Sequence, residues 1–213
     1  MIKAQEALDR LVAGNRRFVE SFGGSALTSP ESMETLPGPQ HPFAAVLGCA
    51  DSRVPPEHVF HQGLGDVFSV RVAGNVVTAP LLASVEFAAH ALGTRLIVVL
   101  GHSACGAVGA AVSEVAGAGG GLTPALTELV EEIRPAVEEE RRDEDTGDGD
   151  DSREAWVARS VRSNVRFSMA ALSESAALHG LQENDGLRIV GAEYDLATGE
   201  VDFFELPGDL SLS

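Results

Sequence analysis

Two short segments of this sequence concentrate side chains that can do chemistry. In the first, an apolar run ends in Cys49, and Asp51 and Arg53 follow at alternate positions. In the second, an apolar run ends in Leu-Gly and is followed by His102 and, three residues later, by Cys105. The chain has no other cysteines. A strand end accounts for the apolar runs, but it does not account for the reactive groups that follow them.

The two cysteines and the histidine together form a donor set that Zn²⁺ prefers. Ligands gather outside the carboxyl ends of parallel strands, so Cys49, His102 and Cys105 would converge if their two strands are neighbours in a sheet. We expect His102 and Cys105 to open a helix, whose N-terminal amides favour a thiolate over a thiol. Three protein ligands leave a fourth tetrahedral position open, as in catalytic zinc sites. Water bound there would supply hydroxide near neutral pH.

Asp51 and Arg53 provide a way to control that water. The Asp51 carboxylate could accept a hydrogen bond from the water and orient its lone pair outward, while Arg53 holds the carboxylate in a bidentate pair. Alternatively, Asp51 could rotate to become a fourth zinc ligand, and the pair would then act as a latch between an open and a closed site. A thiol redox pair is the main competing interpretation of the cysteines, and inert core cysteines are the simplest one.

The surrounding pattern predicts an α/β fold with a mostly parallel central sheet flanked by helices. Apolar, β-branched runs predict four strands, and a fifth follows the turn at Thr198-Gly199. These strands are expected at 43–47, 67–72, 96–100, 187–192 and 201–206. Helical spacing predicts helices at about 78–92, 104–115, 123–141 and 153–181. The alternation implies about four parallel strands with the last strand antiparallel at the edge.

We expect a single domain over residues 1–213, with an N-terminal helical arm at 1–22, a Gly/Ser/Pro-rich linker at 23–42 and the α/β core at 43–213. The charged run at 141–152 is expected to stay solvated, because its acidic spacing lacks the order of a calcium-binding loop.

Composition narrows the classes of partner. At 213 residues and 44% hydrophobic, the chain can bury a core without disulfides. We find no apolar run near the roughly 20 residues of a membrane span, and the first 20 residues are typical of an amphipathic helix rather than a secretory signal. We therefore expect a cytoplasmic protein with reduced thiols.

The net charge of −17 argues against nucleic-acid and anionic-membrane partners. Acid surplus with a single lysine fits either a salty cytoplasm or a GC-rich genome.

Several segments resemble the β-class carbonic anhydrases. The similarity is carried, in family order, by GCADSRVPPE (48–57), FSVRVAGNVV (68–77), SVEFAA (84–89) and GHSACGAV (101–108), and LVAGNRRFV (11–19) resembles the N-terminal helix of the family. The resemblance extends from residue 5 to about 195. It implies that Zn²⁺ is the cofactor, with Cys49, His102 and Cys105 as its ligands. It also implies that Asp51 and Arg53 form the catalytic dyad for reversible hydration of CO₂ to bicarbonate and a proton by zinc-bound hydroxide.

Other features of the family are matched in part. Gln62 corresponds to a glutamine that donates a hydrogen bond to substrate in one branch, with spacing that differs by one residue; the alternative is that it caps the turn before GLGD. A second branch has a non-catalytic bicarbonate pocket of a tryptophan, an arginine and a tyrosine. Here Arg71 and Tyr194 match, but Val46 replaces the tryptophan, so support of the sheet is the alternative role for the pair.

The resemblance also bears on assembly and on competing functions. Family members are dimers or higher assemblies whose N-terminal helix reaches over the neighbouring subunit, so we expect at least a homodimer. Relatives with the same zinc residues hydrolyse carbon disulfide or carbonyl sulfide, which is the alternative function. A non-catalytic zinc or thiol-sensing protein is disfavoured, because holding zinc requires neither Asp51 nor Arg53. Residue type alone nominates proton shuttles, namely His58, His61 and His90.

Overall fold

A computed structural model describes residues 1–21, 36–141 and 152–212. Most of the predicted linker and almost all of the charged run considered for calcium lie outside these ranges. The described residues form a five-stranded sheet in the order β2-β1-β3-β4-β5. Its strands are Ala44–Cys49 (β1), Val67–Val72 (β2), Leu96–His102 (β3), Arg188–Tyr194 (β4) and Val201–Glu205 (β5).

Strand pairing confirms the expected topology. β1 runs parallel to both β2 and β3, and β3 runs parallel to β4. β5 pairs antiparallel with β4 at the edge of the sheet. The fold is therefore α/β, with four parallel strands and one antiparallel edge strand, as predicted.

Seven α-helices are described around this sheet. They are Ala4–Ser21 (α1), Pro56–Val59 (α2), Ala79–His90 (α3), Gly106–Val115 (α4), Pro124–Glu139 (α5), Arg153–Ser173 (α6) and Ala176–Asn184 (α7). None of them is both long enough and apolar enough to cross a membrane.

The prediction of one helix over 153–181 is wrong. The structure divides this segment between α6 and α7 at Ser175, whose hydroxyl accepts a hydrogen bond from the Leu178 amide and so caps α7. A serine at this position satisfies an amide that would otherwise lack a partner at the start of the helix. The short α2, which begins at Pro56, was not predicted.

The central strands are buried on both faces, which explains their continuous apolar sequence. In β1, Ala44 and Val46 pack with residues of α1 on one face. Ala45 and Leu47 pack with residues of α3, α6 and α7 on the other. The sheet is thus covered by helices on both faces, and the carboxyl ends of its strands are left for a functional site.

Helix α1 packs against its own chain, whereas the resemblance implied an arm that reaches a neighbour. Leu8 and Leu11 are fully buried in the core cluster on the α1 face of the sheet. Asn15 anchors the C-terminal half of the helix: its amide donates to the Val59 carbonyl at 3.0 Å and its side-chain oxygen accepts from the Val201 amide at 2.9 Å. The apolar stripe of α1 is therefore part of this domain's core.

This packing predicts a large effect of truncating Leu8. Leu8→Ala should lower the free energy of unfolding by about 2–5 kcal/mol, because a buried leucine leaves both lost burial and a cavity. Leu126→Ala is the matched control, since Leu126 is 46% exposed and its loss should change stability by less than about 0.5 kcal/mol. Urea denaturation measures both; equal, small effects would show that α1 does not belong to the core.

Candidate metal centre and active site

The candidate ligands lie where two neighbouring strands end. Cys49 is the last residue of β1 and His102 is the last residue of β3. Cys105 is the N-cap of α4, after a turn in which Ala104 has a φ of 53°. We expected His102 and Cys105 to open a helix together; the structure places Cys105 at the helix start but leaves His102 in the strand. The parallel β1–β3 pairing then brings all three side chains to one point.

The spacing of the three side chains suits a tetrahedral metal ion. The Sγ atoms of Cys49 and Cys105 are 4.0 Å apart. One ligand atom from each of Cys49, His102 and Cys105 lies within 4.8 Å of the others. All three residues are buried, with exposed fractions of 4%, 0% and 3% respectively. Two sulfurs bound tetrahedrally at 2.3 Å would be about 3.8 Å apart, close to the separation found here.

The protonation of His102 fits a ligand role. Its Nδ1 lies 2.9 Å from the Ser103 carbonyl oxygen, which can only accept, so Nδ1 carries the proton. Its Nε2 is buried and has no hydrogen-bond partner among the described residues. A buried polar atom without a partner is rare in proteins. A cation between Nε2 and the two sulfur atoms would complete this group.

The surroundings of the sulfur atoms favour a thiolate at Cys49. The contact with Cys105 Sγ, opposed by burial, lowers the pKa of Cys49, and His102 and the Gly74 amide lower it further. The same contact, together with burial, raises the pKa of Cys105. Both cysteines are free, so no disulfide removes them from use as ligands. Thiolates rather than thiols bind Zn²⁺.

Arg53 holds the Asp51 carboxylate beside the ligand group. The Arg53 guanidinium donates from Nε to Oδ1 at 2.9 Å and from Nη2 to Oδ2 at 2.7 Å, and the Arg53 amide donates to Oδ1 at 2.9 Å. These bonds hold the pKa of Asp51 well below its usual range, so the carboxylate is ionised at neutral pH. Asp51 Oδ2 is 3.9 Å from His102 Nε2. Of the two positions predicted for the Asp51 carboxylate, the structure therefore shows the one in which it is bonded to Arg53.

Arg71 braces the chain between the candidate ligand and the dyad. It donates from Nε to the Cys49 carbonyl at 3.0 Å and from Nη2 to the Asp51 carbonyl at 2.6 Å. Val46 and Tyr194 lie buried in the core cluster on the α1 face of the sheet. These contacts favour a structural role for Arg71, which holds the backbone between Cys49 and Asp51 in place.

Gln62 is held by the backbone. Its side-chain amide donates to the Phe60 carbonyl at 2.6 Å and to the Arg10 carbonyl of α1 at 3.4 Å. Asp66 closes the following GLGD turn itself, since its carboxylate accepts from the Gly63 amide at 2.8 Å. The contacts of Gln62 with backbone carbonyls fit its alternative role as a cap of the turn before GLGD.

The three histidines considered as proton shuttles stand apart from the metal group. His58 and His90 are exposed, and His61 is half-buried with a φ of 48°. None of them belongs to the cluster of potential metal ligands found among the described residues. Their part in proton transfer stays a hypothesis based on residue type.

Comparison with known proteins decides the family. A family model described as carbonic anhydrase matches residues 44–201. Carbonic anhydrase 2 of Mycobacterium tuberculosis is 38% identical over 191 residues, which cover 89% of this chain and 87% of the relative. The β-carbonic anhydrase CafA of Aspergillus fumigatus superposes with a TM-score of 0.72 at 26% identity, covering 93% of this chain and 89% of that one. The chain belongs to the β-class carbonic anhydrases.

A second β-carbonic anhydrase structure shows the same fold. The crystal structures of two tetrameric enzymes from Sordaria macrospora include a chain that superposes with a TM-score of 0.72 at 23% identity, covering 93% of this chain and 97% of that one. Together with the curated relatives, these matches make the chain an enzyme of the carbonic anhydrase family.

Sequence reasoning missed two contacts that shape the metal group. The Gly74 amide donates to Cys49 Sγ at 3.3 Å. The Ser103 carbonyl accepts from His102 Nδ1. A glycine two residues after β2 was the one hint of the first contact, and backbone groups give no sequence signal for the second.

The geometry predicts one Zn²⁺ per chain. Cys49→Ser and His102→Ala should each lose the metal, because each removes one of three ligands and the remaining two bind weakly. His90→Ala is the control that should retain it, since His90 is exposed at the end of α3. Elemental analysis after dialysis measures the zinc content; full occupancy in Cys49→Ser would refute the ligand assignment.

Proposed function

We propose that this enzyme catalyses the reversible hydration of CO₂ to bicarbonate and a proton, with Zn²⁺ held by Cys49, His102 and Cys105. The observation that carries the proposal is the buried His102 Nε2, which finds no hydrogen-bond partner in the described part of the chain, lies beside two sulfur atoms and is 3.9 Å from a carboxylate oxygen. A cation at this point would satisfy all three groups and stand next to a fixed acceptor. Membership of the carbonic anhydrase family supports the same reaction.

Zn²⁺ bound there would supply the Lewis acidity that makes water a nucleophile near neutral pH. The ionised Asp51 carboxylate is an acceptor only, so it can hold the proton of the attacking water and direct the oxygen lone pair toward the carbon of CO₂. Arg53 keeps that carboxylate ionised and restrains its rotation through two parallel hydrogen bonds. The proton that hydration releases passes to solvent buffer.

Arg71 contributes by placing the dyad relative to the metal ligands. It binds the carbonyls of both Cys49 and Asp51, so the chain between the ligand and the carboxylate cannot straighten without losing two partly buried hydrogen bonds. Preorganised groups of this kind lower the barrier because they need no rearrangement during the reaction.

Asp51 provides the decisive test. Asp51→Asn should retain zinc but lose CO₂ hydration by about 100-fold or more, since a neutral amide has one acceptor oxygen in place of two and its NH₂ group can only donate, so it cannot bind Arg53 in a bidentate pair and also accept from the water. Asp185→Asn is the control, because Asp185 is exposed at the end of α7 and should leave turnover unchanged. Stopped-flow hydration with a pH indicator measures both variants.

The same assay separates the competing functions. Unchanged turnover in zinc-loaded Asp51→Asn would refute the dyad assignment. A wild-type protein that turns over carbonyl sulfide faster than CO₂ would transfer the function to the alternative hydrolase. Zinc-loaded wild-type protein without either activity would indicate a non-catalytic zinc protein.

We also propose that the enzyme acts as a homodimer or a higher homo-oligomer. Among the described residues, β2 is an edge strand that pairs only with β1. Phe87 on α3 is 50% exposed, and its ring centroid lies 6.2 Å from that of Phe68 on β2. An unpaired edge beside exposed aromatic surface is an association site, and a second copy of β2 related by a two-fold axis would satisfy the hydrogen bonds of the edge.

A cytoplasmic location is also part of the proposal, because the metal site requires reduced cysteines.

Phe87 tests this assembly. Phe87→Glu should shift the protein toward monomer, because it places a charge in an apolar interface. Leu126→Glu is the matched control, since it adds the same charge to an exposed apolar position on α5. Light scattering after size-exclusion chromatography gives the mass of each; an unchanged mass for Phe87→Glu would exclude α3 from the interface.

A further inference from the structure

The Cys49 sulfur receives a hydrogen bond from the backbone. The Gly74 amide, in the turn Ala73–Asn75 that follows β2, donates to Cys49 Sγ at 3.3 Å. A donor aimed at a thiolate draws electron density away from the sulfur. The bond therefore influences how strongly Cys49 would donate to a metal ion.

The backbone at Gly74 is set by a conformation that disfavours other residues. Gly74 has a φ of 72°, in the left-handed region. A Cβ atom there would lie 2.6 Å from Ile133 Cδ1 and 3.2 Å from the Ala107 Cβ. The next residue, Asn75, also has a positive φ, 45°, which costs free energy in a residue with a side chain. Such a turn persists only where other contacts hold it.

Helix α6 supplies those contacts. Asn164 Nδ2 donates to the Gly74 carbonyl at 2.7 Å, and Ser168 Oγ donates to the Asn75 carbonyl at 3.0 Å. Both side chains are buried, and their positions four residues apart place them on one face of the helix. Two consecutive carbonyls of the turn are thus bound from the same side by the same helix.

We propose that Asn164 and Ser168 are positioning residues for the metal centre, which they influence by holding the Gly74 amide on Cys49 Sγ. The inference rests on the proposed zinc site. Two thiolates cancel the charge of Zn²⁺ and weaken it as a Lewis acid. A hydrogen bond to one sulfur offsets part of that loss, so α6 tunes the metal from a distance without touching it.

The test compares three buried residues of α6 with two readouts of the metal centre. Zn²⁺ affinity is measured by competition with a chelator, and the sulfur-to-metal absorption band is measured after Co²⁺ substitution. Asn164→Leu should weaken Zn²⁺ binding about tenfold, because the Cys49 thiolate loses the donor that stabilises it against protonation and holds it in place. It should also move the Co²⁺ band to lower energy, because a sulfur that loses its donor releases charge more easily. Ser168→Ala should change both in the same direction by a smaller amount.

Ser160→Ala is the matched control. Ser160 is fully buried in α6, and its hydroxyl has no hydrogen-bond partner among the described residues. This variant should leave both readouts unchanged, and its thermal stability calibrates the cost of altering a buried polar residue on this helix. If Asn164→Leu does not fold, Ser168→Ala carries the comparison with Ser160→Ala.

The outcomes separate this inference from the proposed function. If wild-type protein binds Zn²⁺ and hydrates CO₂ while the variants at Asn164 and Ser168 match Ser160→Ala in affinity and band energy, the positioning role is wrong and the proposed function stands. If wild-type protein binds no Zn²⁺, the proposed function is overturned and the positioning role with it.

Discussion

The parallel pairing of β1 with β3 is the constraint on which the site depends. Cys49 and His102 are far apart in the sequence, and they meet because their strands end side by side in one sheet. Parallel neighbours require a crossover, which here includes β2 and α3. The pairing is secured by apolar burial on both faces of the central strands, well away from the reactive groups. The core can thus stay purely hydrophobic, while the carboxyl edge of the sheet carries the polar chemistry.

Electrostatics explains why a buried cluster of two sulfurs and an imidazole suits a cation. Removing polar groups from water costs free energy unless each finds a partner. The backbone supplies some of these partners, since the Ser103 carbonyl accepts from His102 and the Gly74 amide donates to Cys49. Within the described ranges of the chain, the lone pair of His102 Nε2 has no hydrogen-bond partner. A divalent ion would compensate that lone pair and two thiolates together, so protein folding and metal binding support each other.

The surroundings of the site divide into a wet side and a dry side. Asp51 and Arg53 form the wet side, where the guanidinium is exposed and the carboxylate lies between solvent and the ligands. The dry side consists of the turn at Gly74 and the buried Asn164 and Ser168 of helix α6, which bind that turn. Water and a small substrate can approach only from a solvated side. The opposite side is free to fix the geometry of a ligand, which requires rigidity more than access.

The α/β class, the five strands, and the grouping of Cys49, His102 and Cys105 with Asp51 and Arg53 could be predicted from the amino-acid sequence alone. Those features are local, because continuous apolar, β-branched runs and reactive residues at strand ends leave a pattern within a few positions. Tertiary structure decided the rest. The helix break at Ser175 depended on a single cap, and the packing of α1 on its own core depended on contacts with strands far along the chain. Asn164 reaches a backbone carbonyl 90 positions away, and Gln62 binds two carbonyls that any residues could provide. A backbone acceptor has the same chemistry in every residue, so only the folded chain reveals which one a side chain will find.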